Sequence, residues 1–285
     1  MRSEVRFDEI GYWSEVKLDI ISEFASAYSK ILTAQRRMMP RLRHLYIDGF
    51  AGAGVHISRT TGDFVLGSPL NALLVEPPFH EFHLVDLQKG RAAHLRSLIG
   101  DRLGEDVFIY EGDCNVILPN QVFPRVRFQD YKRALCILDP YGLDLDWQVM
   151  EAAGLLGTID LFLNFPMMDI NRSVLWSDLS RVHSEQAIRL TRFWGDESWR
   201  DVAYRTEETL FGPELVKNPG TEVVEAFQQR LKDVAGFENV VKPLPMRNNQ
   251  GAIVYYLCFA SPKPVAVGIV KDIFKKFADR GERNG

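Results

Sequence analysis

The chain has 285 residues, of which 46% are hydrophobic, so its length favours one sizeable core and excludes three independent domains. A formal net charge of −4 excludes a surface coated with positive charge, and any contact with nucleic acid needs a local cluster of Lys and Arg. The three cysteines, Cys114, Cys136 and Cys258, have no spacing that suits a metal, so we expect no metal site and a reduced, cytoplasmic protein.

The N-terminal part of the chain is predicted to be a helix and not a targeting segment. Residues 1–13 contain acids and no continuous apolar stretch, so we expect no signal peptide. Residues 13–38 carry apolar side chains with helical spacing, and Pro40 ends the pattern. We also expect no membrane span, because no apolar run reaches the necessary length.

Five short apolar segments then alternate with helical patterns. Strands are predicted near residues 44–48, 82–85, 107–110, 135–138 and 159–164, and helices at 68–75 and 89–99. Residues 55–67 are predicted to form a loop. The alternation predicts an α/β fold with a Rossmann-like, doubly wound parallel sheet and flanking helices, which binds its ligands at the C-terminal ends of the strands.

The regular alternation stops after the fifth strand. Residues 166–235 have the pattern of several helices, rich in Arg and Trp, with no obvious strand. A strand at 253–260 and a helix at 267–278 follow. We therefore predict a Rossmann-like domain of residues 1–165 and 236–285, and a helical insertion at 166–235 that acts as a substrate-recognition or lid segment.

A glycine-rich turn follows the first predicted strand. Its glycines let the backbone turn tightly and approach a ligand closely. The spacing GxxGxG differs from that of dinucleotide-binding proteins, and no helix begins before Ser68, which disfavours a nicotinamide cofactor. An acid before the first glycine suits a ligand with a positively charged amino group, although the turn could also be purely structural. The candidate ligand-binding residues are Asp48, Gly49, Phe50, Ala51, Gly52 and Gly54.

Acids also end the second and third predicted strands. Asp86, followed by Leu87, is well placed to accept hydrogen bonds from both hydroxyls of a ribose. Asp113, followed by Cys114, could accept a hydrogen bond from the exocyclic amine of adenine. Each acid could instead cap the helix that follows it.

The sequence DPYG follows the fourth predicted strand. The Asp139 carboxylate and the Pro140 carbonyl can hold an amine that attacks a methyl group, and Tyr141 can stack on a planar substrate. Such a site works by positioning and charge stabilisation more than by strong base catalysis. A simple turn is the alternative.

In strand order, residues 44–165 resemble the class I S-adenosylmethionine-dependent methyltransferases. The resemblance implies S-adenosylmethionine as the cofactor. It places the glycine-rich turn on the methionine side, Asp86 at the ribose, Asp113 at the adenine and Asp139 at the methyl acceptor.

More narrowly, the chain resembles the three-Cys-motif partner proteins. The shared features are Trp13, Ser14 and Lys17 in the N-terminal helix, the DGFAGAG turn, the sequence GSP at 67–69, DPYG, and YYLCFAS before the last helix. This resemblance implies a protein partner that bears a three-cysteine motif, and it suggests that Lys17 contacts the substrate or cofactor.

The target motif is also similar to two groups of nucleic-acid enzymes. Amino-methyltransferases of adenine in DNA and RNA carry Asp/Asn-Pro-Pro-Tyr/Phe, from which one proline is missing here, and tRNA guanine-N2 dimethyltransferases carry Asp-Pro-Phe-Gly. Both likenesses imply methylation of an exocyclic base amine in DNA or RNA. The alternatives are a small-molecule methyltransferase and a non-catalytic, cofactor-binding partner subunit of a cysteine-motif protein.

Residues 172–205 interleave arginines with aromatic residues. That composition is typical of segments that bind phosphates and stack on bases, but the acids among them also fit a surface with ion pairs and buried Trp anchors. The arginines include Arg172, Arg181, Arg189 and Arg192. We take Lys17, Asn164, Arg172 and Trp176 as candidate substrate-binding residues.

Overall fold

A computed structural model describes residues 7–176, 182–210, 212–248 and 250–278, and its central feature is a seven-stranded β-sheet with helices on both faces. The N-terminal half contains β1 (Glu9–Ile10), α1 (Tyr12–Gln35), β2 (Arg43–Asp48), β3 (Val55–Ser58), β4 (Phe64–Leu66), α2 (Ser68–Leu73), β5 (Glu81–Asp86), α3 (Lys89–Ile99), β6 (Val107–Glu111), α4 (Cys114–Ile117) and β7 (Lys132–Leu138). The C-terminal half contains α5 (Trp147–Leu156), β8 (Ile159–Phe165), α6 (Met167–Ser173), α7 (Ser184–Trp194), α8 (Trp199–Ala203), β9 (Tyr204–Thr209), β10 (Gly212–Lys217), α9 (Gly220–Asp233), β11 (Asn239–Arg247), β12 (Ile253–Ser261) and α10 (Pro264–Ala278).

The sheet has the order β11-β12-β8-β7-β2-β5-β6. The five strands from β8 to β6 are parallel, whereas β12 is antiparallel to β8 and β11 is antiparallel to β12. From β2 the chain runs outward through β5 to β6 and then returns to β7 on the other side of β2. This reversal opens a crevice at the C-terminal ends of β2 and β7, where such sheets bind ligands. The predicted Rossmann-like fold with flanking helices is confirmed.

The central strands are buried on both faces, because successive side chains of a strand point to opposite sides of the sheet. In β2, Leu45 and Ile47 belong to one core cluster and Tyr46 belongs to the other. The first cluster includes residues of α5, α7 and α9, and the second includes residues of α1 and α10. This two-sided burial explains why the parallel strands appear as continuous apolar runs in the sequence.

Helix α1 carries the N-terminal residues of the site to the sheet. Its apolar stripe is buried, and the Phe24 ring packs against Phe162 and Phe259 with centroid distances of 5.2 and 5.0 Å. The observed bounds agree with the helix predicted at 13–38. Because the core anchors the middle of α1, its first turns are held above the C-terminal ends of the strands.

Three strand regions were not predicted. The predicted loop at 55–67 contains β3 and β4, which form a small sheet with β1. The described part of segment 166–235, which was predicted to be helical, contains four helices and also the antiparallel pair of β9 and β10. Among the residues of these strands whose burial is described, only Ser58 and Tyr204 are buried, so the strands lack the buried apolar face by which a half-buried strand is recognised.

Strand β11 was missed for a different reason. It contains Pro243 and Pro245, and proline is normally excluded from a strand interior because it cannot donate a ladder hydrogen bond. Here the strand lies at the edge of the sheet, and its pairing with β12 is irregular after Val241. Proline is tolerated in both situations, at a sheet edge and at a bulge.

The predicted limits of the insertion, 166–235, stay a prediction. Helix α9 lies within these limits, but Val223, Val224, Phe227 and Leu231 are buried in the core cluster on one face of the main sheet. No helix in the described ranges is long and apolar enough to cross a membrane.

Candidate functional site

Two adjoining clefts lie at the C-terminal ends of the parallel strands. The first cleft has a volume of about 630 Å³ and is lined by residues of α1, the glycine-rich turn and the loop after β7. The second cleft has a volume of about 410 Å³ and is lined by residues that follow β2, β5, β6 and β7. Phe50 and Tyr141 line both, so the two clefts meet between these rings.

The glycine-rich turn forms the wall between the clefts. Phe50, Ala51 and Gly52 line the first cleft, and Gly49 lines the second. Gly52 has a φ of 65° and a Cβ there would meet no atom within 4 Å, whereas a Cβ on Gly49 would lie 2.7 Å from the Leu138 side chain. Gly54 lies away from both clefts, where it allows close packing against α3.

Asp48 lies behind the wall of the first cleft and not on its surface. Its buried carboxylate accepts hydrogen bonds from Ser68 Oγ (2.6 Å), the Phe50 amide (3.1 Å) and Tyr46 Oη (3.3 Å). Burial raises the pKa of Asp48 to about 6, against these hydrogen bonds, which lower it. Asp48 thus fixes the turn and positions Ser68, which lines the first cleft.

Asp86 connects the glycine-rich turn to the end of β5. Its two oxygens accept hydrogen bonds from the Gly52 amide (2.9 Å) and the Gln88 amide (2.7 Å). Burial raises the pKa of Asp86, although both hydrogen bonds act in the opposite direction. The side chain lines the second cleft beside the exposed Leu87, as the sequence predicts for a ligand-binding acid.

Asp113 serves as a helix cap and also lines the second cleft. Its Oδ1 accepts a hydrogen bond from the Asn115 amide (2.9 Å) at the start of α4. The neighbouring Cys114 is buried, and burial raises the pKa of its thiol to about 12, so the thiol stays protonated at neutral pH. Both residues line the second cleft.

Asp139 is bound from two sides in the first cleft. Lys17 Nζ donates a hydrogen bond to Oδ2, and Asn164 Nδ2 donates one to Oδ1 (2.8 Å). Lys17 Nζ also lies 5.1 Å from the centroid of the Tyr255 ring. Burial lowers the pKa of Lys17, but the charge and hydrogen bond of Asp139, together with Tyr255 and Asp48, raise it further, and the pKa lies above its usual value. The lysine therefore stays charged beside Asp139.

Asn164 also provides a free acceptor in the first cleft. Its Oδ1 is buried and has no hydrogen-bond partner among the described residues. A buried polar atom without a partner is costly, so a ligand that donates a hydrogen bond at this point is favoured.

Tyr141 is held by two residues that the sequence did not single out. Arg91 Nη1 donates to Tyr141 Oη (2.8 Å), which donates to Asp8 Oδ2 (3.0 Å), and Arg91 Nη2 pairs with Asp8 Oδ1 (2.8 Å). Burial raises the pKa of Tyr141, the charge of Arg91 lowers it and that of Asp8 raises it. We call Asp8, Arg91 and Tyr141 the clasp. It joins the N-terminal segment to α3 and to the loop after β7, between the two clefts.

The other predicted substrate-binding residues lie further out. Arg172 is exposed and lines a recess of about 330 Å³ together with Gly142, Asp169 and Arg189. It has no ion pair in the described part of the chain. Trp176 is partly exposed and lines neither cleft, and its carbonyl accepts a hydrogen bond from Tyr204 Oη (3.1 Å).

Most of the arginine-rich segment has structural partners. Arg189 pairs with Asp144 at 2.6 Å and Arg192 with Asp146 at 2.7 Å, both at the rim of the second cleft. Trp194 and Trp199 are buried in the core. Ion pairing and Trp anchoring thus account for these residues, and Arg181 lies outside the described residues. The structure places His56 and Tyr255 in the first cleft as well. Tyr255 begins the YYLCFAS segment, which was not assigned to the site, and no sequence motif marked His56.

No group of three or more His, Cys, Asp or Glu residues in the described ranges is arranged to hold a metal ion.

The chain was compared with family models, curated proteins and solved structures. No family model and no curated protein matches it. Protein LPL1258 from Legionella pneumophila, of the family model DUF519, is similar in structure, with a TM-score of 0.51 and 11% identity over 93% of both chains. The complex of Trm1 from Pyrococcus horikoshii with S-adenosyl-L-methionine has a TM-score of 0.47 and 11% identity over 86% of this chain and 54% of Trm1. The N-terminal domain of EvdMO1 with SAH bound has a TM-score of 0.40 and 10% identity over 81% of this chain and 79% of that chain. At 11% identity, the similarity to LPL1258 concerns the fold.

Proposed function

We propose that the protein is an S-adenosylmethionine-dependent methyltransferase that acts on an amine, specifically an exocyclic base amine in DNA or RNA. The observation that carries the proposal is the meeting of two clefts at the reversal point of the sheet. The second cleft presents Asp86 and Asp113, and the first presents Asp139 with Lys17 and Asn164. Trm1 and EvdMO1, which are similar in structure, were crystallised with S-adenosylmethionine and SAH.

The second cleft fits the adenosine part of the cofactor. Asp86 can accept hydrogen bonds from ribose hydroxyls, and Asp113 can accept one from the adenine amine. Leu87, 72% exposed at the rim, offers an apolar surface to the base. The absence of a Cβ at Gly52 leaves open space beside the turn for a ligand to approach the backbone.

The first cleft fits the methyl acceptor. S-adenosylmethionine, when bound, supplies the methyl group. Asp139, held in place by Lys17, can accept one hydrogen of the amine, while the Pro140 carbonyl and Asn164 Oδ1 can accept the other. Tyr141 offers a ring on which a planar base can stack. Arg172 is the candidate contact for a phosphate of the substrate.

The narrower resemblance supports a further part of the proposal. The N-terminal helix, the glycine-rich turn and the DPYG element resemble those of the three-Cys-motif partner proteins, so we propose a protein partner with a three-cysteine motif.

A calorimetric titration with S-adenosylmethionine and S-adenosylhomocysteine tests the cofactor site. We expect micromolar binding of both ligands and its loss in Asp86→Ala, because the ribose loses its acceptor. The absence of binding to folded wild-type protein contradicts the proposal.

The variant Asp139→Asn tests the site of the methyl acceptor. In the calorimetric titration it should bind the cofactor nearly as well as the wild type. In a separate assay it should lose the transfer of a tritiated methyl group to DNA, RNA or cell extract. A loss of cofactor affinity in this variant instead assigns Asp139 to the cofactor.

One observation favours a second candidate, a small-molecule methyltransferase. Arg189 and Arg192 are neutralised by Asp144 and Asp146, so the described rim of the clefts is not a continuous basic surface. Transfer of the methyl group to a small-molecule fraction of the extract, and not to nucleic acid, supports this candidate.

A further inference from the structure

A separate cavity lies at the opposite end of the sheet from the two clefts. This distal cavity has a volume of about 410 Å³ and lies between α1, α10 and the N-terminal ends of β7 and β8. Its volume falls within the range of small-molecule sites. The apolar residues that line it include Phe24, Ile31, Leu32, Met39, Leu42, Val265, Ala266 and Ile269.

Two buried polar side chains lie in this apolar wall. Tyr28 is 6% exposed, and its buried hydroxyl lies near Asp160 but has no hydrogen bond of ordinary geometry among the described residues. Asp160 is 7% exposed, and Ser261 Oγ donates a hydrogen bond to its Oδ1. A tyrosine hydroxyl in an apolar cavity normally has a partner, so an unpaired one points to a ligand group that is absent from the protein itself.

The cavity also has positive charge that forms no ion pair with a described acid, although the Asp160 carboxyl lies near Arg133. The Arg133 guanidinium lies 4.2 Å from the centroid of the Phe128 ring and donates a hydrogen bond to its neighbouring Lys132 carbonyl (2.7 Å). Neither Arg133 nor Lys263, which also line the cavity, forms an ion pair within the described ranges. A half-buried arginine over an aromatic ring is a suitable receptor for a carboxylate.

We propose that the distal cavity binds an amphipathic carboxylic acid, with its apolar chain between α1 and α10 and its carboxylate facing Arg133 and the Tyr28 hydroxyl. A mainly apolar site with a few convergent polar groups is the usual form of a small-molecule site. The proposal is independent of methyl transfer, because the cavity shares no residue with the two clefts.

The protonation of Asp160 tunes this site. Burial raises the pKa of Asp160 to about 7, although its hydrogen bond with Ser261, the nearby Tyr28 hydroxyl and the charge of Arg133 lower it. A protonated Asp160 does not repel a carboxylate, whereas an ionised one does and also competes for Arg133. Among the described residues, the charged or polar groups that act on it are Ser261, Tyr28 and Arg133. The affinity for a carboxylate is therefore expected to fall as the pH rises from 6 to 8.

Calorimetric titration of the full chain with octanoate, octan-1-ol and octylamine tests the proposal. We expect saturable binding of octanoate at one site, with octan-1-ol and octylamine at least tenfold weaker. Arg133→Met should weaken octanoate at least tenfold and leave octan-1-ol unchanged, because it removes the charge and keeps an apolar stem. Asp160→Asn should abolish the pH dependence of octanoate binding.

A matched pair of variants locates the binding. Val265 is 59% exposed at the cavity rim, so Val265→Trp should block the cavity without loss of folding. Leu155, 74% exposed on α5, provides the control Leu155→Trp. Loss of octanoate binding in the first variant only supports the proposal. Absence of binding to the folded wild type, stronger binding of octylamine, or unchanged binding in Val265→Trp overturns it.

Discussion

At the scale of single residues, the buried carboxyl of Asp48 makes stability depend on pH. Burial raises its pKa from 3.8 to about 6 in the folded protein. Between these values the folded state retains a proton that the unfolded state has lost, so the contribution of Asp48 to stability falls as the pH rises through this window. The fall amounts to at most about 3 kcal/mol.

Asp48→Asn should remove this dependence. Asn carries no charge, and its oxygen can accept from the Phe50 amide while its NH2 group donates to Ser68 Oγ, so the variant should gain stability relative to the wild type between pH 4 and pH 8. Urea unfolding across this range measures the change. If the difference in unfolding free energy between variant and wild type does not change with pH, the carboxyl is not held with a raised pKa.

At the scale of secondary structure elements, two helical glycines have opposite environments. A Cβ on Gly154 in α5 would lie 1.9 Å from the Ala235 carbonyl oxygen, whereas a Cβ on Gly268 in α10 would meet no atom within 4 Å. Gly154 therefore allows α5 to pack directly against the chain that follows α9.

Alanine at these positions should change stability in opposite directions. Gly268→Ala should stabilise the protein by up to about 1 kcal/mol, because alanine is the better helix former. Gly154→Ala should destabilise it by about 2 kcal/mol or more, because a backbone clash outweighs the helical preference. Urea midpoints measure both, and stabilisation by Gly154→Ala contradicts the observed packing of α5.

At the scale of the whole molecule, the clasp fastens the N-terminal segment across the site. The amides of Ile57 and Arg59 donate hydrogen bonds to the carbonyls of Asp8 and Ile10, so their protection from exchange reports the docking of this segment. Arg91→Gln should accelerate hydrogen exchange at both amides, because it weakens the two contacts that Arg91 makes in the clasp and leaves only the bond from Tyr141 to Asp8.

Arg59→Gln is the matched control. Arg59 also pairs with the N-terminal strand, through Glu9 at 3.8 Å, but both side chains are 66% exposed and such a pair contributes little. Exchange should stay close to that of the wild type. Equal acceleration in the two variants indicates that the clasp has no special role in docking this segment.

The sequence by itself determined the central sheet and much of the second cleft. Strands such as β2 and β7 are continuous apolar runs because both faces are buried, and Asp86 and Asp113 end strands whose C-terminal ends meet at one edge of a parallel sheet. A local pattern therefore fixes both the element and the position of the acid.

Only the tertiary structure decided which side chains meet. Lys17 and Asp139 are 122 positions apart, and no local pattern encodes their contact or that of Asp8 with Tyr141. The sequence also did not predict the exposed strands β9 and β10 or the proline-containing β11. The pairing of such strands depends on the neighbouring strand and not on apolar alternation. The distal cavity arises where α1 and α10 pack over the strand ends. A cavity of this kind lies between several elements, so the sequence of no single element predicts it.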